Sequence, residues 1–153
     1  MGISPSQIAG WVDYPVIVQP HHTDYAGVVW HGSYLTWMEE ARIAAFRDVG
    51  IEFADLVAMG CDLPVVSLNL NYHQAVHMGQ KVCVRSHLEP TSGVRLTWVQ
   101  NICALDSDLC YVSGRIVNVP IDVERRKIMR KFPPLLGKAI AAHQKSAELT
   151  TPP

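Results

Sequence analysis

An aspartate lies a few residues ahead of the predicted start of a long helix, in the segment Asp24 to His31. The first turn of a helix has backbone N–H groups without intrahelical partners, and the helix macrodipole adds positive potential there. A carbonyl oxygen bound at that place is polarised, and the charge that develops on it during attack is stabilised. The Asp24 carboxylate, folded back toward the same point, could activate water or attack as a nucleophile. The spacing is compatible with hydrolysis of an activated ester, such as a thioester, without a metal, a cofactor or a serine nucleophile. An aspartate just before a helix is, however, more often a helix cap or turn former, so the spacing alone leaves both interpretations open.

Two elements must hold this loop in place. Alternating apolar residues from Val12 to Val18 predict a first strand, which Pro20 ends. From Gly32 to Val49, apolar residues recur with a helical period and cover most of the circumference, which predicts a buried helix that ends at Gly50. Gly27 lies between the two elements, where a positive φ is accessible to it.

The rest of the chain predicts strands. A short helix over 53–59 precedes strands at 63–73, 80–88, 94–105 and 109–119, with hairpin turns at 90–93 and 106–108. In the first of these strands, Val66, Leu68, Leu70 and Tyr72 alternate with polar residues. The order predicts an α+β fold with a largely antiparallel sheet of about five strands and one long central helix. We expect a single domain over 11–140, a terminal helix over 133–142, and flexible termini at 1–10 and 143–153.

Composition excludes several classes of function. The net charge of −1 over 153 residues gives no support for nucleic-acid binding. No apolar run reaches the roughly 18 residues of a membrane span, and the N-terminal residues lack a secretory signal, so we expect a soluble cytoplasmic protein. None of the cysteine pairs has CxxC spacing, and free thiols are expected at all four positions, which are Cys61, Cys83, Cys103 and Cys110.

The segment around the aspartate resembles a known family. The sequence His22-Thr23-Asp24-Tyr-Ala-Gly-Val-Val-Trp-His31-Gly-Ser-Tyr34, followed by Glu39-Glu40-Ala41-Arg42, is similar to the signature of the hotdog-fold acyl-CoA thioesterases. It is closest to the 4-hydroxybenzoyl-CoA thioesterase family and to its relatives encoded beside Tol–Pal genes. Close relatives often have Asp-Thr-Asp where this chain has His22-Thr23-Asp24. The resemblance implies a sheet wrapped around the central helix and hydrolysis of an acyl-CoA to the acid and free CoA, without a cofactor.

The resemblance also implies roles for individual residues. Asp24 matches the catalytic aspartate, and His31 lies where the backbone N–H binds the thioester oxygen. Gly27 matches the glycine that lets the loop pass close to the substrate, and Glu39 matches an acid near the acyl end in some aryl-CoA members. The remaining expected substrate-binding residues are Val29, Trp30 and Tyr34. The family works as a dimer or a dimer of dimers, so a neighbouring copy is expected to contribute residues from about 65–71.

A basic run at 125–131 has two interpretations. It could be a solvated surface segment, or its side chains could grip the 3′-phosphate and pyrophosphate of CoA. Arg126 and Lys127 are the predicted CoA contacts. The segment Glu124–Pro134 also resembles the last strand of the family.

The same residues allow other interpretations. His21, His22, Asp24 and His31 could form a metal cluster, but their spacing matches no zinc motif and no metal is expected. A non-catalytic acyl-CoA-binding module and a hotdog hydratase or dehydratase are the alternative functions. Hydroxybenzoyl, dihydroxynaphthoyl and short or medium aliphatic acyl groups all stay open, as does the choice between dimer and tetramer.

Overall fold

The computed structural model describes the backbone of residues 10–149 and the side chains of residues 10–145. Of the predicted flexible termini at 1–10 and 143–153, residues 1–9 and 150–153 lie outside the described residues. The helices are Ser33–Asp48 (α1), Phe53–Ala58 (α2) and Pro134–Leu149 (α3). The strands are Trp11–Ile17 (β1), Cys61–Asp62 (β2), Val65–Tyr72 (β3), Lys81–Leu88 (β4), Leu96–Ala104 (β5), Cys110–Asn118 (β6), Ile121–Asp122 (β7) and Lys127–Ile128 (β8). No helix in this part of the chain is long and apolar enough to cross a membrane.

Five strands form one sheet in the order β1-β4-β5-β6-β3. Every neighbouring pair in it is antiparallel, and α1 packs across one face. This arrangement confirms the predicted α+β class and is the hotdog architecture that the resemblance implies. The sheet leaves β1 and β3 as its two edges, with β3 next to the site described below.

The inner side of α1 forms the centre of the core. Trp37 and Met38 are at most 1% exposed, and each large apolar side chain buried this completely contributes roughly 1.5–3 kcal/mol. The helix ends in a Schellman motif, in which the Ile51 N–H reaches the Phe46 carbonyl at 2.9 Å and Gly50 has a φ of +87°. Gly114 on β6 lets Leu70 of β3 pack beside Met38, because a Cβ there would lie 2.5 Å from the Leu70 side chain.

Three predictions need correction. The outer side of α1, which includes Leu35 and Glu39, is exposed, because one sheet covers one side of a helix. The last helix does not end at 142 but continues to Leu149, and His143 is buried beside Trp98 with ring centroids 6.3 Å apart. The segment Glu124–Pro134 adds no strand to the main sheet, since only Lys127–Ile128 is extended and it pairs with β7 in a small separate sheet.

Candidate functional site

The loop that carries Asp24 is closed by its own backbone. The Asp24 N–H donates to the Val28 carbonyl at 2.8 Å, and the Gly27 N–H donates to the Asp24 carbonyl at 3.0 Å. Gly27 has a φ of +78°, which a residue with a side chain rarely adopts. Bonds from Met78 to Gly27 and from Val29 to Val76 then attach the loop to the segment before β4. The backbone therefore fixes the position of Asp24.

One oxygen of the Asp24 carboxylate has a partner. Its Oδ1 accepts the Ala26 N–H at 2.8 Å, which is a local Asx turn. In the part of the chain that the structure describes, the second oxygen has no hydrogen bond, and the residue is half-buried. One carboxylate oxygen is therefore held while the other is open to react.

The start of α1 is tied to the same loop through His22. The His22 carbonyl accepts both the Trp30 N–H at 3.0 Å and the Ser33 hydroxyl at 2.8 Å. The Tyr72 hydroxyl of β3 donates to the His31 carbonyl at 3.1 Å. These bonds fix the turn that leads into α1 from both sides.

The N–H groups of this turn are open. Within the described residues, the His31 and Gly32 N–H groups donate no hydrogen bond. Both groups precede the first turn of α1, where the macrodipole favours negative charge. They can therefore hold a carbonyl oxygen that becomes an oxyanion.

Gly32 is a site residue that the sequence reasoning missed. The Trp30 ring, which is 53% exposed, lies over it, and a Cβ at position 32 would come within 2.1 Å of that ring. A glycine directly before the helix start was the available signal. The missing side chain at Gly32 thus leaves the space that the Trp30 ring occupies.

A cavity of about 280 Å³ opens beside the helix start, and three of the predicted residues line it: Val29, His31 and Tyr34. Tyr72 of the edge strand completes its wall, with its ring 5.7 Å from that of Tyr34. Burial raises the pKa of the Tyr34 hydroxyl, so this group stays protonated at neutral pH. Asp24, Gly27 and Trp30 adjoin this cavity through the backbone and do not line it.

The other predicted site residues lie elsewhere. Glu39 lines a second cavity, of about 260 Å³, further along α1 together with Arg42. Arg126 lines a third cavity, at the tip of the β7–β8 hairpin. This third cavity borders the second one, because Asp62 and Pro64 line both. Lys127 is exposed on the same hairpin. One copy of the chain therefore does not bring all the predicted residues into a single cavity.

The His22 side chain holds the loop in place. His22 Nδ1 accepts the Gln19 N–H at 2.9 Å, and its ring meets Trp37 edge-on at 5.0 Å. Partial burial and the neighbouring His21 lower the pKa of His22, which favours the neutral ring that this bond requires. No group of three or more metal-ligating side chains is found among residues 10–145.

Comparison with known proteins yields one family. The sequence profile of the Thioesterase superfamily matches residues 26–111. A Synechocystis protein named "Putative esterase" is 50% identical over 126 residues, covering 82% of this chain and 76% of that protein. The acyl-CoA thioester hydrolase YbgC of Escherichia coli is 25% identical over 86% of this chain and 94% of its own length. In structure, the DHNA-CoA thioesterase of Staphylococcus aureus superposes with a TM-score of 0.81 at 25% identity, over 94% of this chain and 97% of that one.

Proposed function

This chain belongs to the Thioesterase superfamily, and from that membership we propose that it hydrolyses the thioester of an acyl-CoA to a carboxylic acid and free CoA. The observation that carries the proposal is the pair of open N–H groups at His31 and Gly32, on a turn bonded to the loop of Asp24. A carboxylate beside an oxyanion site is sufficient for this reaction, because a thiolate leaves easily.

In the proposed mechanism, the thioester oxygen lies against the His31 and Gly32 N–H groups. The free oxygen of Asp24 either takes a proton from the attacking water or attacks the carbonyl carbon itself. In both routes a C–O bond forms, the C–S bond breaks, and the thiolate of CoA leaves and is protonated. In the nucleophilic route, water then hydrolyses the anhydride between Asp24 and the acyl group, which releases the carboxylic acid and restores the carboxylate. The Asx turn to Ala26 keeps the carboxylate in one orientation during the attack.

We further propose that two copies of the chain pair through β3. Its apolar residues Val66, Leu68 and Tyr72 are each 46–52% exposed, and the outer edge of the strand has no partner among the described residues. An unpaired apolar edge favours association with another strand. Two-fold antiparallel pairing over the full strand places Val65 opposite Tyr72 of the partner subunit.

This pairing brings two cavities together. Val65 lines the cavity of Glu39 and Arg42, whereas Tyr72 lines the cavity of His31. Each cavity, at about 260 and 280 Å³, is smaller than the usual ligand pocket of roughly 300–1,000 Å³. Joined across the interface, they give room for an acyl group between the helix start of one copy and Glu39 of the other. A dimer or a dimer of dimers fits this arrangement.

The basic hairpin borders the same region, since its cavity shares Asp62 and Pro64 with that of Glu39. Arg126 and Lys127 are therefore proposed to contact the CoA phosphates. A small aromatic or a short to medium aliphatic acyl group is the proposed substrate class. We also propose that the protein is cytoplasmic.

Release of free thiol from a panel of acyl-CoAs tests the function. The proposal predicts time-dependent thiol release with kcat/KM highest for one acyl class. Saturable acyl-CoA binding without thiol release would instead support a binding module. Hydration of an enoyl-CoA with no thiol release would support a hydratase, and either outcome would overturn the proposal.

A further inference from the structure

We propose that Arg42 determines substrate specificity by donating a hydrogen bond to a hydroxyl group at the far end of the acyl chain or ring. This inference rests on the proposed function and concerns the acyl end of the same site. It goes beyond the resemblance, which points to Glu39 alone at that end.

Arg42 is a buried cation that has no carboxylate partner. Arg42 is 8% exposed, and no carboxylate oxygen in the described part of the chain lies within 4.0 Å of its guanidinium nitrogens. A single described bond engages it, from Nη1 to the Gln100 Oε1 at 2.9 Å. Arg42 also lines the cavity of about 260 Å³, and none of its nitrogens is both completely buried and without a partner. A guanidinium carries five N–H donors, so most of its donor capacity remains for a ligand.

A buried network holds the guanidinium at the cavity wall. Gln100 is fully buried, and its Nε2 donates to the Met38 carbonyl and the Ser86 hydroxyl, both at 2.9 Å. These two bonds leave Oε1 to face Arg42. Gln100 therefore positions the charge without neutralising it, and a fixed donor of this kind suits recognition of a bound group.

The rest of the cavity indicates which group is recognised. Ile43, Phe46 and Phe53 form apolar walls, which suit the hydrocarbon part of an acyl group. The acids Glu39 and Asp62 line the same cavity, so a further negative charge on the ligand is disfavoured there. A neutral hydroxyl fits both requirements, because its oxygen accepts from Arg42 while its hydrogen can be donated to Glu39.

The position of the cavity agrees with this role. In the two-fold pairing through β3, the Arg42 cavity of one copy adjoins the His31 cavity of the other. The thioester carbonyl then lies at the helix start of one copy and the acyl end at Arg42 of the partner subunit. The remote hydroxyl would thereby fix the distance and orientation of the thioester relative to Asp24.

Matched substrates test the proposal. The probes are 4-hydroxybenzoyl-CoA against 4-methylbenzoyl-CoA, and 8-hydroxyoctanoyl-CoA against octanoyl-CoA. The hydroxylated member of at least one pair should have the higher kcat/KM.

Arg42→Met should reduce that preference about tenfold to a hundredfold, the range of a lost hydrogen bond to a charged group. Arg42→Lys should restore part of the preference. The control is Arg47→Met, since Arg47 is on the same helix but exposed and paired with Glu52 at 3.0 Å; it should leave the preference unchanged.

Two outcomes would overturn the proposal. One is that Arg42→Met lowers kcat/KM equally for both members of each pair, which would indicate a structural role. The other is that wild type shows no preference. Thermal melts establish that each variant is folded. If wild type releases no thiol from any acyl-CoA, the proposed function fails. The role of Arg42 is then decided by comparing the Kd values of the hydroxylated and unhydroxylated acyl-CoAs for wild type and Arg42→Met.

Discussion

In the proposed mechanism, His31 and Gly32 act through their backbone N–H groups. Substitutions at these two positions test this role directly. His31→Ala should keep most of the wild-type kcat/KM, because the imidazole takes no part and the N–H remains. Gly32→Ala should lower kcat/KM about tenfold to a hundredfold, since a displacement of about 1 Å at a reacting group has effects of this size. The added Cβ would otherwise lie 2.1 Å from the Trp30 ring, so that ring must move.

Steady-state kinetics with one acyl-CoA measures both variants, and tryptophan fluorescence reports the shift of Trp30 in Gly32→Ala. A loss in His31→Ala as large as that expected for removal of the Asp24 carboxylate would show that the imidazole takes part. Unchanged kinetics in Gly32→Ala, with an altered fluorescence spectrum, would show that the ring position is irrelevant to turnover.

The docking of α3 on the sheet depends on a neutral His143. Burial lowers the pKa of this imidazole below its usual value, and its Nε2 has no partner within the described residues. The unfolded chain therefore binds the proton at a higher pH than the folded chain. Stability should fall as the pH drops through about 6.5, the ordinary histidine value, and the fall should level off below the folded pKa.

Urea unfolding of wild type and His143→Leu between pH 7.5 and 5.5 measures this effect. Wild type should lose more free energy of unfolding over this interval than the variant, which has no imidazole at this position. Equal pH dependence in the two proteins would mean that His143 does not couple α3 to protonation.

The proposed pairing through β3 would make the activity a property of the dimer. Leu68→Lys places a charge in the middle of the proposed interface and should give a monomer that has lost most of its activity. Leu105→Lys is the matched control, because both leucines are 46% exposed and Leu105 lies away from β3. Light scattering gives the mass, and thiol release gives the activity at the same concentration. A fully active Leu68→Lys monomer would refute the shared site.

The sequence predicted those features that depend on local patterns. The extent of α1 followed from apolar periodicity between Gly32 and Gly50, and the antiparallel strands followed from alternation and turn residues. The bonds of Tyr72 to His31, and of Arg42 to Gln100, join residues 41 and 58 positions apart, so no local pattern reveals them. The polar segment 143–153 likewise predicts a flexible tail, because the contact of His143 with Trp98 of β5 joins residues that are distant in the sequence.

The most direct test of the central claim is turnover by Asp24→Asn. Asparagine retains the oxygen that accepts the Ala26 N–H at 2.8 Å, so the loop should persist while the base or nucleophile is lost. Asp122→Asn is the control, because the Asp122 Oδ1 also accepts a nearby backbone N–H, that of Arg125 at 2.9 Å, but the residue lies on β7. We predict that Asp24→Asn lowers kcat about 10³-fold, within the range for a lost general base, with unchanged acyl-CoA binding, and that Asp122→Asn turns over normally. Asp24→Asn turnover near the wild-type rate would contradict the account.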